Sequence, residues 1–286
     1  MSDPKFSEKE WYVTEPDKLF SELLMFIGSE ALLSDSYVNV FQKRMALSTV
    51  HLSNKLEGTM PHGIAESEIY VILESLYDEG IPIGPAQPWD VDGKNDQISS
   101  RTQLLNHLAA HQFMSHPNIL KRDLEVADVL EAHRIMMENS TGMVGKGGEF
   151  RSHNVFAIGH VYPEGDASTL ERGCKFILAE YNSSVRNGTC FIISAAKLFY
   201  DMITLHPFAD GNGRLCRLLV SYALMRGGFP FLVPMSSHHR KSRNHYMMSI
   251  LEGRCTGKLG QMRSLILTSA YFVMRNYIDN KRVTGR

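Results

Sequence analysis

The sequence predicts an all-α fold that contains one small β-hairpin. Two observations support this prediction. Apolar residues recur three and four positions apart through most of the chain, which is the spacing of an amphipathic helix. Residues 154–163 show a different pattern, with two short β-type runs that meet at Gly159. The chain has 286 residues, enough for one large or two small domains with a buried core.

Three helices are predicted in the N-terminal part, at residues 17–34, 37–56 and 65–78. Gly58 follows the second helix and Gly80 follows the third, and glycine commonly ends a helix. The next segment, residues 81–96, is rich in Pro, Gly and Asp and therefore reads as a loop. It separates a predicted N-terminal helical region, residues 1–80, from the rest of the chain.

The second region is predicted to span residues 98–270, with a C-terminal tail at 271–286. Its helices are predicted at residues 98–116, 124–139, 168–184, 190–205 and 212–226. One or two further helices are expected beyond Ser242. Within this region lies the hairpin, with strands at 154–158 and 160–163.

Composition excludes several classes of function. A formal net charge of -1 gives no basic excess for binding a nucleic acid, and no apolar run is long enough for a membrane helix. The first residues have no apolar core, so they are not expected to form a secretory signal. Four scattered cysteines fit reduced thiols, and together these features predict a cytoplasmic protein.

Polar and charged residues are concentrated in the segment from His206 to Arg217, which joins two predicted helices. Gly211 and Gly213 permit a close backbone approach, and the first amides of the following helix can hold an anion. Arg214 and Arg217 are three positions apart, so both can reach phosphates at that end of the helix.

Two further residues of this segment indicate that the bound anion takes part in a reaction. Asp210 offers a hard oxygen ligand for Mg²⁺, and His206 offers a base whose ordinary pKa is near neutral. A plain glycine turn with a capping residue and two solvated arginines would explain each residue singly. It does not explain the whole set, which suits phosphoryl or nucleotidyl transfer.

Residues 206–217 read His-Pro-Phe-Ala-Asp-Gly-Asn-Gly-Arg-Leu-Cys-Arg, which resembles the signature of the Fic family at every specified position. The resemblance extends over roughly residues 120–267 and includes Gly-Glu-Phe-Arg at 148–151, before the hairpin. It implies the Fic fold, a helical bundle in which the hairpin is a flap that holds the target.

The resemblance also implies an activity, the transfer of AMP from ATP to a Ser, Thr or Tyr hydroxyl of a target protein. His206 would deprotonate that hydroxyl, and Asp210 would bind Mg²⁺. Residues Gly211, Asn212 and Gly213 would hold the phosphates, with Arg214 in support and Arg217 on the γ-phosphate. A phosphorylating branch of the family has Lys where this chain has Gly213, so AMP transfer is favoured over phosphate transfer.

Ser53-Asn54-Lys55-Leu56-Glu57-Gly58 resembles the inhibitory motif of the same family, in its subgroup with the motif N-terminal to the Fic core. The resemblance implies that residues 37–58 form an inhibitory helix. Ser53 and Glu57 share one face of it, and Glu57 would pair with Arg217 in place of the γ-phosphate. Thr59 stands where the motif often has Asn, which leaves the end of the helix open to question.

Further contacts are implied for the target and the nucleotide. The target-docking flap would consist of Val155, Phe156, Ala157, Ile158, Gly159 and His160. Without the resemblance, an ordinary surface hairpin explains these residues equally well. Tyr246 and Asn244 stand where the family places groups near adenine, although Tyr246 can also be a packing residue.

Alternative functions stay open from the sequence. Glu57 could serve the reverse reaction, so a deAMPylase is possible, as is a transferase of another nucleotide or phospho-group. A nucleotide-binding regulator is a third possibility, but such a protein would need neither His206 nor Asp210. ATP and Mg²⁺ are the expected cofactors and a protein the expected partner. A homodimer is also possible, since relatives often dimerise.

Overall fold

The computed structural model describes residues 15–34, 36–60, 65–79, 95–138, 146–157, 159–236 and 240–283. The described helices of the N-terminal part are α1 (Pro16–Ile27), α2 (Glu30–Leu33), α3 (Tyr37–Glu57) and α4 (Glu66–Glu79). Those that follow, up to the hairpin, are α5 (Asn95–Met114), α6 (Pro117–Leu120) and α7 (Val126–Met137). After the hairpin come α8 (Ala167–Arg186), α9 (Phe191–Leu205), α10 (Asn212–Arg226), α11 (Arg240–Thr256) and α12 (Gly260–Val283). The predicted all-α class is confirmed.

Two predicted boundaries are wrong. The helix predicted at 17–34 is two helices, because Ser29, which follows Gly28, has an extended backbone with φ at -91° and ψ at 91°, and a new helix begins at Glu30. The predicted tail at 271–286 is not separate, since α12 continues through it to Val283. The physical reason is an apolar stripe that extends past residue 271 and includes the fully buried Tyr277. The predicted loop at 81–96 lies mostly outside the described residues.

The core is centred on α9 and α10, which pack along each other's length. Helices α8 and α12 cover α9, and α3 and α5 pack against α10. Aromatic rings pack α3 against α12 and against the segment that follows α10. Phe41 of α3 lies 4.8 Å from Phe231 and 5.2 Å from Tyr277, between ring centroids. Helices α1, α2 and α3 therefore share one core with the rest, whereas α4 packs with α3 and α5 in a second apolar cluster, and α3 is fixed beside α10.

The hairpin consists of β1 (Val155–Ala157) and β2 (His160–Tyr162), paired antiparallel as predicted. Gly159 has a φ of 67°, which a tight turn between two strands requires. Phe156 and Val161 stand opposite each other and are exposed, whereas Tyr162 is buried against the helices. Of the predicted flap, Ile158 lies outside the described residues.

Across the described ranges, no helix combines the length and the apolar character needed to cross a membrane.

Candidate active site

The loop from Leu205 to Asn212 is held in shape by its own side chains. Asn212 begins α10, and its side-chain Nδ2 donates to the backbone carbonyl of Phe208 at 2.7 Å. The side-chain Oδ1 of Asn212 in turn accepts from the backbone amide of Phe208 at 3.1 Å. Phe208 is fully buried and anchors the loop to the core. Asn212 therefore acts as a clamp within the loop rather than as an exposed phosphate ligand, which its predicted role did not anticipate.

Glycine is required at residue 211. Its φ is 75°, and a Cβ there would lie 2.7 Å from the Met137 sulfur. The loop thus rests directly on α7, and the first amides of α10 have no partner within the helix. Such a helix start attracts anions, as the sequence predicts.

His206 ends α9 in the left-handed conformation, with φ at 51°, alone among the described non-glycine residues. Its Nδ1 lies 3.3 Å from the carbonyl oxygen of Ile203. Because a carbonyl only accepts, Nδ1 carries the proton and Nε2 keeps its lone pair. Burial lowers the pKa of His206 to about 4, so the ring is neutral at physiological pH. This is the protonation state that a general base needs.

Three residues that the sequence left without a role surround His206. The ring of Tyr162 stacks on the imidazole at 4.0 Å between centroids, and its hydroxyl donates to the Ile203 carbonyl. Arg254 of α11 donates to that hydroxyl. Arg151 donates through Nε to the carbonyl of His206 at 2.7 Å. The position of His206 is therefore fixed by residues of β2, of α11 and of the segment before the hairpin.

Asp210 is the residue best placed to bind a metal ion. Its side chain is exposed, one carboxylate oxygen accepts from the Gly211 amide at 2.6 Å, and the other lies 3.6 Å from Arg214. Within the described residues no three His, Cys, Asp or Glu side chains cluster as metal ligands. Mg²⁺ often binds through a single carboxylate together with water and phosphate oxygens, and Asp210 fits that arrangement.

Arg214 is buried, although it was expected to support phosphates. Its Nη1 donates to the side-chain oxygen of Gln103 in α5 at 2.6 Å, and burial lowers the pKa of its guanidinium. Its buried Nε has no partner among the described residues. An arginine with an unused donor at the start of α10 suits an anionic ligand.

Arg217 carries the predicted inhibitory contact. Its Nη2 lies 2.5 Å from a carboxylate oxygen of Glu57, and its Nε donates to the Ser53 hydroxyl at 2.8 Å. The carbonyl of Ser53 and the hydroxyl of Tyr246 accept two further bonds, at 3.2 and 3.1 Å. Every nitrogen of the guanidinium thus has a partner, and three of its four bonds go to α3.

The interaction between Glu57 and Arg217 favours the charged form of each residue. Desolvation acts to raise the pKa of Glu57, but the charge and hydrogen bond of Arg217 outweigh it and hold the pKa below its ordinary value. Burial acts to lower the pKa of Arg217, and Glu57 reverses that effect. The ion pair is therefore present at neutral pH.

Glu57 also lies over the start of α10. A Cβ added to Gly213 would come within 2.6 Å of its carboxylate oxygen. The carboxylate thus stands beside the helix terminus that attracts anions, as well as on Arg217. A phosphate group bound there would compete with Glu57 for both.

Helix α3 ends at Glu57, the residue predicted to be inhibitory. Gly58 has a φ of 73°, and the amide of Thr59 donates to the carbonyl of Asn54 at 3.1 Å, which closes a Schellman cap. The Thr59 hydroxyl donates to Asn54 as well. Thr59 therefore supports the helix end, and the question raised by its departure from the motif is answered.

The predicted adenine contacts are placed differently from each other. Tyr246 is buried against Arg217, with the guanidinium carbon 5.5 Å from the ring centroid. Asn244 is exposed two residues earlier in α11. Tyr246 thus packs against the pair of Glu57 and Arg217, which agrees with the alternative interpretation of Tyr246 as a packing residue. Contact of Tyr246 or Asn244 with adenine stays a prediction.

One buried residue links the segment before the hairpin to the loop that follows His206. His133 of α7 accepts a hydrogen bond from the Gly148 amide at 2.9 Å and contacts the Asp210 carbonyl at 3.0 Å. Sequence reasoning missed it, although a histidine within the apolar stripe of α7 indicates a buried polar group with fixed partners. Gln103, Tyr162 and Arg254 gave no comparable signal.

Comparisons with known proteins agree with this geometry. Residues 123–224 match the model of the family described as the Fic/DOC family. A protein named "Protein adenylyltransferase Fic" from Drosophila melanogaster is 31% identical over 220 residues, which cover 74% of this chain and 42% of that protein. The protein of the same name from Aedes aegypti is 33% identical over 215 residues, covering 70% and 40%. The chain thus spans about two-fifths of the length of these relatives.

Solved structures show the same fold. Fic-1 from C. elegans superposes with a TM-score of 0.70 at 21% identity, covering 94% of this chain and 73% of that one. A Fic-domain signalling protein from Bacteroides thetaiotaomicron gives 0.67 at 20% identity, covering 95% and 97%. Through residues 123–224, this chain belongs to the Fic/DOC family and has its fold.

Proposed function

We propose that this protein is an adenylyltransferase that moves AMP from ATP onto a Ser, Thr or Tyr hydroxyl of another protein. The observation that carries the proposal is His206, held as a neutral base in the loop that enters the anion-attracting start of α10. The name carried by the curated relatives supports it.

In this proposal the triphosphate of ATP lies across the start of α10. The amides of Gly213 and its neighbours hold phosphate oxygens, and the unused Nε of Arg214 donates to them. Arg217 binds the γ-phosphate once Glu57 has left. Mg²⁺ bound through Asp210 would offset the charge that develops on the phosphates.

The transfer step follows from the state of His206. Its Nε2 accepts the proton of the target hydroxyl while that oxygen forms a bond to the α-phosphorus. The bond between the α-phosphorus and the oxygen that bridges to the β-phosphate breaks, and pyrophosphate leaves. Arg214 and Arg217 stabilise the departing negative charge, because arginine geometry matches phosphate oxygens.

A protein is the proposed acceptor because the hairpin offers an exposed strand edge. An extended target segment can pair with such an edge through backbone hydrogen bonds, with little demand on its own sequence. Tyr162 of the same hairpin stacks on His206, so the hairpin and the base are in contact. We place the reaction in the cytoplasm, which the four free cysteines support.

Restraint by Glu57 is part of the proposal. The glutamate occupies Arg217 and the space over Gly213, so ATP would bind without its γ-phosphate in place. A second function is favoured by the same residue. An ionised carboxylate kept beside the phosphate site could activate water and remove AMP from a modified target.

The test uses the Glu57→Gly variant with Mg-ATP and measures the intact mass of the protein, with the Glu57→Gly/His206→Ala variant beside it. The proposal predicts addition of AMP units that depends on His206. Addition that persists without His206 would refute the base assignment. AMP removal is tested separately, on AMP-modified protein given to the wild type and to Glu57→Gly.

A further inference from the structure

The segment that leads into the hairpin, residues 146–154, and the catalytic loop, residues 205–212, rest on the same helix, α7. A Cβ on Gly147 would lie 2.9 Å from the carbonyl oxygen of Arg134, so this segment needs glycine to lie against the helix. A Cβ on Gly211 of the catalytic loop would lie 2.7 Å from the sulfur of Met137, three residues further along α7. Two functional segments that are distant in sequence are therefore packed side by side on one surface.

His133 stands between these two segments and bonds to both. Its Nδ1 accepts from the amide of Gly148, so in the neutral ring Nε2 carries the proton and donates to the carbonyl of Asp210. The imidazole stacks on Phe208 at 3.7 Å between centroids, with 13° between the ring planes. Its side chain is 1% exposed, so water does not compete for either bond.

A buried histidine that merely satisfies its polar atoms would be a stabilising residue. His133 differs because its two partners lie in two segments with different proposed tasks. Gly148 leads into the strand that would hold the target. Asp210 follows the base by four residues and would bind the metal ion. His133 thus joins the target-holding and nucleotide-holding parts from the side of α7, in addition to the bonds of Arg151 to His206 and Pro207.

We propose that His133 is a positioning residue, which holds the segment leading into the hairpin and the Asp210 loop at a fixed separation so that the target hydroxyl meets the α-phosphate in line. This inference rests on the proposed transferase function. His133 touches neither substrate, and it acts through the backbones of Gly148 and Asp210. Small displacements of reacting groups reduce rates strongly, so a loss of this tie should lower kcat more than it alters ATP binding.

Three variants separate the two bonds, all made in the Glu57→Gly background. His133→Leu removes both. His133→Asn has a side chain that reaches Gly148 but not Asp210, and His133→Gln places its amide nearer Asp210. We expect the Leu variant to lose roughly 10–100-fold in kcat, about the effect of losing one or two hydrogen bonds, with the KM for ATP unchanged.

The Asn and Gln variants, which each keep one of the two bonds, distinguish a positioning role from a stabilising one. Because one bond alone does not fix a separation, the Asn and Gln variants should lose nearly as much kcat as Leu does. A merely stabilising role predicts instead that kcat follows the melting temperature across the series. Unchanged kcat in the Asn or Gln variant overturns the inference, and this holds even if the Leu variant does not fold.

Amide hydrogen exchange tests the same idea without any activity, using otherwise wild-type protein. We expect His133→Leu to speed exchange at Gly148 and at Gly211, whose amide bonds to the Asp210 side chain, and to leave α9 and α12 unchanged. His133→Asn should keep Gly148 protected and release Gly211. Unaltered exchange at both glycines overturns the inference. An inactive Glu57→Gly protein with this exchange pattern would refute the transferase alone.

Discussion

Replacement of Glu57 by glycine should activate the protein and destabilise it at the same time. The Arg217 side chain is 3% exposed and that of Glu57 is 36% exposed, and their contact is 2.5 Å. A hydrogen bond to a charged group contributes about 1.5–3 kcal/mol. Because Glu57 is more than a third exposed, we take the lower part of that range, about 1.5–2 kcal/mol.

This energy opposes the γ-phosphate, which must displace Glu57 from Arg217. Since 1.4 kcal/mol corresponds to a factor of ten, the variant should transfer AMP roughly 10–30-fold faster at ATP concentrations below KM. The same loss leaves a buried guanidinium without its counter-charge. The melting temperature should therefore fall by about 3–8 °C in a protein of this size.

The assay is the initial rate of AMP incorporation with labelled ATP, together with a thermal melt of each protein. Glu180→Gly is the matched control, because Glu180 is an exposed glutamate within α8, a helix that contributes none of the site residues described above. It should lose some stability through the helix propensity of glycine and gain no activity. Equal rates in wild type and Glu57→Gly would refute the reasoning.

Three further predictions concern the same site. His206→Ala in the Glu57→Gly background should lower transfer about 10²–10⁴-fold, with ATP affinity by calorimetry unchanged; a smaller loss would contradict its role as base. Ser53→Ala removes one bond to Arg217 and should activate about fivefold; activation as large as that of Glu57→Gly would show that the charge is not decisive. Since burial lowers the pKa of His206 to about 4, its base form persists above that value. Transfer measured as kcat/KM should therefore fall only as pH drops toward 4, and a midpoint near 6.5 would contradict this.

Local patterns in the sequence predict most of the helices because their apolar stripes are continuous. The break after α1 was missed, since Leu23, Phe26 and the residues of α2 keep a helical spacing across Gly28. The sequence predicts a separate tail at residues 271–286, where the structure instead continues α12 to Val283. Burial of Tyr277 against the N-terminal helices decides its structure, and that contact is not local.

The residues of the site also fall into those that a local motif predicts and those that only the fold brings together. Asp210 and Arg214 are close in sequence to His206, so one short motif predicts them together. The pairing of Glu57 with Arg217 spans 160 positions and was predicted only through resemblance to a family motif. Gln103 and Arg254 reach the site across long separations without any motif, and sequence alone offers no reason to select them.

The most direct test of a restrained AMP transferase follows the fate of each phosphate of ATP. The wild type, Glu57→Gly and Glu57→Gly/His206→Ala proteins are incubated with ATP labelled at the α- or the γ-phosphate, and protein-bound label is measured. We predict α-label on the Glu57→Gly protein or its target, far less on the wild type, and none without His206. Retained γ-label, or α-label that does not depend on His206, would contradict the account.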